Sequence, residues 1–533
     1  MKTERDYLLY VLPPPPSTTT TTTDPVGEEG RPEQKGGLCW LTFPERPQPG
    51  RQETRGTTDG EGPATNGAAG DDQDTPKFFS APPSHQILNI VRENFVPFLQ
   101  AQGSSRTEQR WMIIWNDRAG ERLAKKWLDR IVLPILNLGG IPTSEIQVYQ
   151  SRQSGWEDEL LEKTDGDRST KVIILGGDGT ISDFLNQAYG SLQERKKRDP
   201  DDPSSQIHFD LVIVPLGTAN AMFFNTHPKV KELHRPKDIL VGLLDALLEP
   251  TRRADGLPEP PRPRLPLADV QTLDRTKTVT QESVSFVVTS TALHASILET
   301  ANQLALQPDY ESSGIEVFQR AFLSNVSRTW NASVGLLPST LDGSIQRYDP
   351  TTETLLPVRM ETGQDGTLEV RLEGPFSYFT ACLVDRLESK FIIAPLRNPD
   401  RVPLSEDSSR AATIDLVIIR PTRDPSLKSL LEDPHSSSSS SSSDSQPRKE
   451  AITKFVSLVL QNAYQDGDHI NLLTDDGLPI VEYYRCGGWV WTPTDQDQTH
   501  QVCVDGKVIE IPPDGGSVKC TILSLDHIDI RVY

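Results

Sequence analysis

The sequence predicts a doubly wound α/β domain followed by a β-rich, sandwich-like half. Three observations lead there. Apolar segments between Trp111 and Tyr189 alternate between strand-like runs and helical spacing. A glycine-dense turn, Gly176-Gly177-Asp178-Gly179-Thr180, joins a strand to a helix, which is where such sheets hold ligands. After the Pro/Arg/Glu-rich crossover Glu249 to Pro266, the pattern changes to short branched and aromatic runs separated by turn residues.

In chain order, residues 1–81 are mostly Pro, Thr, Gly, Asp and Glu and read as a disordered leader. Two apolar islands interrupt it, Tyr7 to Leu12 and Leu38 to Phe43; they form an appended hairpin or are isolated islands. The first folded domain spans 82–250. His85 to Leu99 carries Ile87, Ile90, Val91 and Phe95 at helical spacing. Trp111 to Trp115 is a strand, Glu121 to Leu136 a helix with Leu123, Trp127, Ile131 and Ile135 on one face, and Glu145 to Tyr149 a strand. Val172 to Leu175 is a buried strand, followed by a helix marked by Ile181, Phe184, Leu185 and Ala188. Leu211 to Val214 is a strand and Asp238 to Leu248 an amphipathic helix. In the second half, 251–533, strands are predicted at Leu267 to Thr272, Ser283 to Thr289, Glu353 to Met360, Thr367 to Leu372, Tyr378 to Leu383 and Ile414 to Arg420. Helices are predicted near Leu293 to Leu306 and Ile315 to Arg328. The serine run Ser436 to Ser443 marks a flexible insertion near 434–448.

Composition narrows the function classes. A formal net charge of -21 argues against nucleic acid as a partner and against docking on an anionic membrane by overall charge. Five cysteines without a C-x-x-C pair indicate neither a disulfide framework nor a zinc site, which fits a reducing cytosol. No apolar run reaches the length of about 18 residues that a membrane span needs, and no signal-like start is present. A cytoplasmic protein is expected, with membrane contact local and peripheral. The sequence does not give an oligomeric state.

The chemistry gathers at three turns. In Gly176 to Thr180, glycines let a ligand approach the backbone, and the helix that follows aims free N–H groups at an anion. Asp178 would repel a phosphate there unless it holds magnesium or takes a proton from an attacking hydroxyl. In Pro215-Leu216-Gly217-Thr218-Ala219-Asn220-Ala221, Thr218 and Asn220 can hydrogen-bond a nucleotide and Gly217 permits close approach. The third turn is Asn116-Asp117-Arg118-Ala119-Gly120.

The Gly176 to Thr180 stretch resembles the nucleotide loop of the diacylglycerol kinase catalytic superfamily, which includes diacylglycerol, sphingosine and ceramide kinases and, more distantly, NAD kinases. Asn116 and Gly120 match the family's first turn, and Gly217 to Asn220 its Pro-x-Gly-Thr-Gly-Asn segment, with Ala219 in place of a glycine. The closing strands, Ile480 to Arg485, Trp489 to Pro493 and Val504 to Val508, look like those of eukaryotic sphingosine and ceramide kinases. The resemblance implies ATP and Mg2+ as cofactors and a doubly wound nucleotide-binding domain ahead of a lipid-binding one. It makes Asp178 the catalytic base and magnesium ligand. Asn116, Gly176, Gly177, Gly179, Thr180, Gly217, Thr218, Asn220, Asp505, Gly506 and Lys507 become nucleotide contacts, and His294 and Ser296 substrate contacts.

Departures from the pattern sharpen the expectation. Ser296 stands where sphingosine kinases have an amine-pairing aspartate, Glu311 and Val317 where they have arginines, and Lys507 where the family has glutamate. An ATP-dependent lipid kinase acting on a sphingoid base, ceramide or diacylglycerol-type hydroxyl is the expected function, with neutral lipids favoured over a free base. Two alternatives stand beside it: a catalytically impaired lipid or nucleotide binder of the same fold, and an NAD kinase.

Overall fold

The computed structural model describes residues 7–11, 38–42, 110–151, 156, 170–199, 207–233, 236–248, 264–306, 315–363, 366, 368–398, 412–432, 445–495, 499–524 and 528–533. The expected helix His85 to Leu99, Glu311 and the serine run Ser436 to Ser443 lie outside these residues. The two leader islands pair as antiparallel strands, Tyr7–Val11 with Leu38–Thr42.

Five parallel strands form the first sheet, in the order Ile528–Val532, Ile207–Pro215, Thr170–Gly176, Arg110–Trp115, Ile146–Gln150. Its central strands are apolar at consecutive positions because both faces are covered. Trp111, Ile113, Ile173, Leu175, Val212 and Val214 face the helical segment Ala124–Leu138 and the helix Pro236–Leu248. Met112, Ile114, Val172, Ile174, Leu211 and Ile213 face the helix Asp178–Arg198 through Phe184, Leu185 and Ala188. The predicted Glu121 to Leu136 helix starts later, at Ala124, and widens to a π turn over Leu128–Val132. Pro134, just beyond, has no N–H with which to close an i→i−4 bond.

The second half is built from two antiparallel sheets. One has seven strands, ordered Glu361–Thr362, Leu368–Glu373, Ala332–Leu337, Gly488–Pro493, Ser517–Ile522, Ala268–Leu273, Val279–Ser285. The other has eight, ordered Thr354–Pro357, Gln346–Asp349, Val481–Cys486, Ile414–Ile419, Tyr378–Cys382, Val288–Thr291, Gln501–Val504, Lys507–Glu510. Aromatic rings join them face to face: Phe379 of the eight-stranded sheet lies 5.0 Å from Trp489 and 5.4 Å from Trp491 of the other. Tyr483 and Arg485 of the tyrosine-rich strand are structural. Both bind the buried Asp415, at 2.5 Å from the phenol and 2.7 and 2.8 Å from the guanidinium. Paired this closely, Asp415 is held below its ordinary pKa by Arg485 and Arg397 despite burial that pushes it up.

Three sequence expectations need correction. The single strand Ser283 to Thr289 is broken at Phe286 and Val287, where the chain leaves the seven-stranded sheet and enters the eight-stranded one. The segment 251–533 is not wholly a β-rich unit, because Ile528–Val532 returns to pair in parallel with Ile207–Pro215 at the edge of the first sheet. The proposed insertion near 434–448 overlaps an ordered helix, Ser445–Ala463, which buries Ile452, Phe455, Val456 and Val459 at helical spacing. Among the described residues no helix is long and apolar enough to cross a membrane.

Candidate functional site

Three turns leave the C-terminal ends of three adjacent parallel strands and press together. A Cβ on Gly177 would lie 2.7 Å from the Gly217 Cα, and one on Gly217 would lie 2.4 Å from the Gly177 Cα. Neither position can carry a side chain without moving a backbone. Gly120, at φ +48°, backs onto the Leu216 carbonyl, where a Cβ would come within 2.3 Å of the oxygen. The turn at 116–120 is thereby locked to the turn at 215–221.

Polar side chains tie the same turns. The Asn116 amide donates to the Thr180 hydroxyl at 2.9 Å, and its carbonyl oxygen accepts the Arg118 N–H at 2.9 Å. Asn220 accepts from the Gly217 N–H at 3.0 Å and donates to the Gly217 carbonyl at 2.8 Å. It sits at φ +54°, a left-handed conformation that asparagine tolerates better than most residues. Ala219 is exposed and is not among the residues with positive φ. An alanine in place of the family's glycine thus carries no left-handed strain; the neighbouring Asn220 takes the left-handed turn.

Asp178 bridges two of these turns. Its carboxylate accepts the N–H groups of Ala221, at 2.6 Å, and Met222, at 3.0 Å, and so caps the helix Ala221–Thr226. Burial pushes its pKa up, while the amides of Met222 and Ala221 pull it back. Beside it, Gly179 is exposed, and a Cβ there would meet nothing within 4 Å. Gly179 and the exposed Thr218 thus flank a helix N-terminus, a cradle suited to an anion, with the buried Thr180 behind them, its N–H on the Gly177 carbonyl.

The sequence-predicted residues of the second half do not all join this cradle. Asp505 is buried and accepts four donors: the Ser285 hydroxyl and the N–H groups of Phe286, Val287 and Val288, each at 2.9 Å. It staples the sheet-to-sheet break, and its lone pairs are committed there rather than to a nucleotide. Burial pushes its pKa up to about 6, the four donors opposing a further rise. Lys507 is exposed, and no hydrogen bond or ion pair among the described residues joins it or Gly506 to the glycine turns. Val317 packs with Ala301 and Ala321 between the helices Ala292–Ala305 and Ile315–Asn325, so it is a core residue and not a substitute at a phosphate-facing position.

His294 accepts or donates a 2.6 Å hydrogen bond with the Ser290 hydroxyl, and burial pushes its pKa down to about 4, so the ring is neutral at physiological pH. Ser296 is buried on the same helix. Among the described residues no group of three or more His, Cys, Asp or Glu is placed to hold a metal ion.

One site residue escaped the sequence reading. Asn186, on the helix that begins at Asp178, both accepts the Val284 N–H at 2.8 Å and donates to the Val284 carbonyl at 3.0 Å. It clamps the cradle's helix to the strand ending at the Asp505 staple. Its position, four residues after the buried Ser182 and beside the apolar face rather than on it, gave no signal in the sequence.

Residues 110–248 match the family profile described as diacylglycerol kinase catalytic domain. No curated protein matches the chain. Among solved structures, a diacylglycerol kinase from Bacillus anthracis str. Sterne aligns at 12% identity over 79% of this chain and 96% of that one, with a TM-score of 0.37. Yeast NADH kinase complexed with NADH aligns at 10% identity over 83% and 80%, with a TM-score of 0.31. Superpositions that loose bear on neither the site nor its ligands.

Proposed function

We propose that this chain, which carries the catalytic domain of the diacylglycerol kinase superfamily at residues 110–248, is an ATP-dependent kinase of a neutral lipid alcohol. The observation that carries the reading is the backbone contact of Gly177 with Gly217 beside the open face of Gly179. It makes a rigid cradle with room for phosphates at a helix N-terminus, and phosphoryl transfer depends mainly on such positioning and charge stabilisation. Gly179 and Thr218 would hold the phosphates, with the Asn116 amide and the buried Thr180 hydroxyl bracing the turn behind them. Magnesium, when bound with ATP, neutralises phosphate charge, and the turns of the cradle carry two carboxylates that would hold it, Asp178 and the exposed Asp117.

Asp178 would also take the lipid hydroxyl's proton. As the lipid oxygen bonds to the γ-phosphorus, the bond to the β-phosphate oxygen breaks, ADP leaves, and the proton passes to the carboxylate. Its capping bonds hold it still beside Gly179, which faces open space. The lipid would enter over the helices Ala292–Ala305 and Ile315–Asn325. There Leu306 is 83% exposed and Leu323 70% exposed, two apolar side chains that would insert into a membrane surface with weak salt dependence. Neutral His294 and buried Ser296 supply no charge to pair with an amine, which favours ceramide or diacylglycerol-type substrates over a sphingoid base.

A second reading, a binder that no longer turns over, is favoured by one observation: both Asp178 oxygens already accept backbone N–H groups. Radiolabel transfer from ATP to diacylglycerol, ceramide, sphingosine and acylglycerol, run beside NAD, separates the readings. Label in a neutral lipid, reduced about 100-fold or more by Asp178→Asn at unchanged ATP affinity, is the expected result. Label in none of the lipids supports the binder, and label in NAD alone overturns the lipid kinase.

A further inference from the structure

A cavity of about 490 Å³ opens at one end of the sandwich, away from the glycine turns in sequence and built from different elements. Its cationic walls come from three of them. Arg420 and Arg423 lie at the turn after the strand Ile414–Ile419, Lys428 on the helix Pro425–Glu432, and Arg448 on the helix Ser445–Ala463. Thr329 and Asn331 add polar groups opposite.

Four cations converging on one open cavity repel one another unless carboxylates or a ligand offset them. The nearby carboxylates are mostly used elsewhere. Glu482 takes Arg420 in a two-pronged pair, at 2.6 and 2.9 Å. Glu373, which lines the cavity, accepts from Ser333 at 2.9 Å and from Arg371 at 3.2 Å. Asp424 caps the following helix through the N–H groups of Ser426, at 2.9 Å, and Leu427, at 3.1 Å. Asp495 pairs with His500 at 2.7 Å and accepts the Asn331 N–H at 3.3 Å.

Arg423, Lys428 and Arg448 are left with no ion pair among the described residues. The Arg423 Nε is moreover buried without a hydrogen-bond partner. Leaving a buried guanidinium nitrogen unpaired costs free energy that a bound oxygen would recover. Arg420 is meanwhile held rigid by Glu482 and by a 2.7 Å bond to the Glu373 carbonyl, so that wall is preorganised.

We propose that this cavity is a second binding site, for a phosphate-bearing anion, with Arg423, Lys428 and Arg448 as its contacts. Guanidinium forks match phosphate oxygens in geometry, and the volume lies in the range of small-ligand pockets. In a chain with a net charge of -21, such a local concentration of cations selects an anion against the overall field. Pro375 lines the cavity, and two residues further along the chain the Ser377 carbonyl accepts the Leu293 N–H at the start of the helix bearing His294. The site does not depend on the kinase reading.

The test is calorimetric titration of the full chain with inositol trisphosphate and with inorganic phosphate, beside sedimentation with phosphatidylcholine vesicles with and without phosphatidic acid. The variants are Arg423→Gln with Arg448→Gln, Lys428→Gln alone, and, as a charge-matched control, Arg275→Gln, an exposed residue outside the cavity lining. Binding of either class of probe that weakens about tenfold or more in the double variant and measurably in Lys428→Gln, but not in Arg275→Gln, is the expected result. Saturation by the soluble phosphates assigns a free ligand; phosphate-dependent vesicle binding without it assigns a lipid headgroup. No binding of any probe to the wild type at millimolar concentration overturns the proposal, as does equal loss in Arg275→Gln. Lys428 is exposed, so its variant keeps the test valid if the double variant does not fold.

Discussion

Asp178 and Asp505 are both buried-edge carboxylates in Asp-Gly sequences, and both bind backbone N–H groups, yet they are built for different work. Asp505 gathers four donors where the chain crosses from one antiparallel sheet to the other, and nothing is left over. Asp178 gathers two, next to a glycine that faces open space. A carboxylate becomes available for chemistry when its donors fix its position without consuming it. The number of donors and the openness of the neighbouring residue separate the two cases; the dipeptide does not.

The comparison breaks most easily at Asp505. Asp505→Ala leaves three buried N–H groups and a hydroxyl without an acceptor, and is expected to cost about 3–5 kcal/mol in urea unfolding. Asp178→Ala should cost about half as much, and a reversed order would remove the distinction. The next largest effect is the pH dependence of the same group. The folded pKa of Asp505 is raised to about 6, so the fold favours its protonated form. Its contribution is whole below about pH 4 and is lost as pH rises through about 6, on the order of 2–3 kcal/mol. Comparing wild type with Asp505→Asn at pH 4 and pH 7 isolates it; a wild type that gains stability relative to the variant across that window would contradict the sign.

Smaller effects sharpen the other side. Gly217→Ala sets a Cβ 2.4 Å from the Gly177 Cα, and should cost about 1–3 kcal/mol together with most nucleotide affinity. Gly179→Ala meets open space and should change stability by no more than about 0.5 kcal/mol, measured by the same unfolding curves. A destabilisation as large as that of Gly217→Ala would show that Gly179 is a packing glycine after all.

Much of this was legible in the sequence, for identifiable reasons. The three strands that end in the glycine turns are buried on both faces, so Val172 to Leu175 and Leu211 to Val214 stand out as continuous apolar runs. The cradle was legible because its glycines occur within a strand-to-helix transition. What was hidden depends on distant partners. Ile528–Val532 alternates apolar with charged residues and gives no hint that its neighbour is Ile207–Pro215. Val317 looked like a lost arginine by position, whereas its spacing to Ala321 places both in the same small core. The cationic cavity was invisible because Arg423, in the turn after Ile414–Ile419, and Arg448, on the helix Ser445–Ala463, lie on opposite sides of a serine tract, and only folding brings them together.

The place of Ile528–Val532 constrains how the chain can be made. During vectorial synthesis, Ile207–Pro215 emerges from the ribosome long before its outer neighbour exists, so the parallel sheet has a raw hydrogen-bonding edge while the whole antiparallel half is produced. Closing that edge is a contact of very high sequence separation, which slows the final folding step and lengthens exposure to aggregation. A fragment ending near residue 250 should accordingly accumulate in inclusion bodies, and adding a peptide of residues 528–533 in trans is the natural rescue.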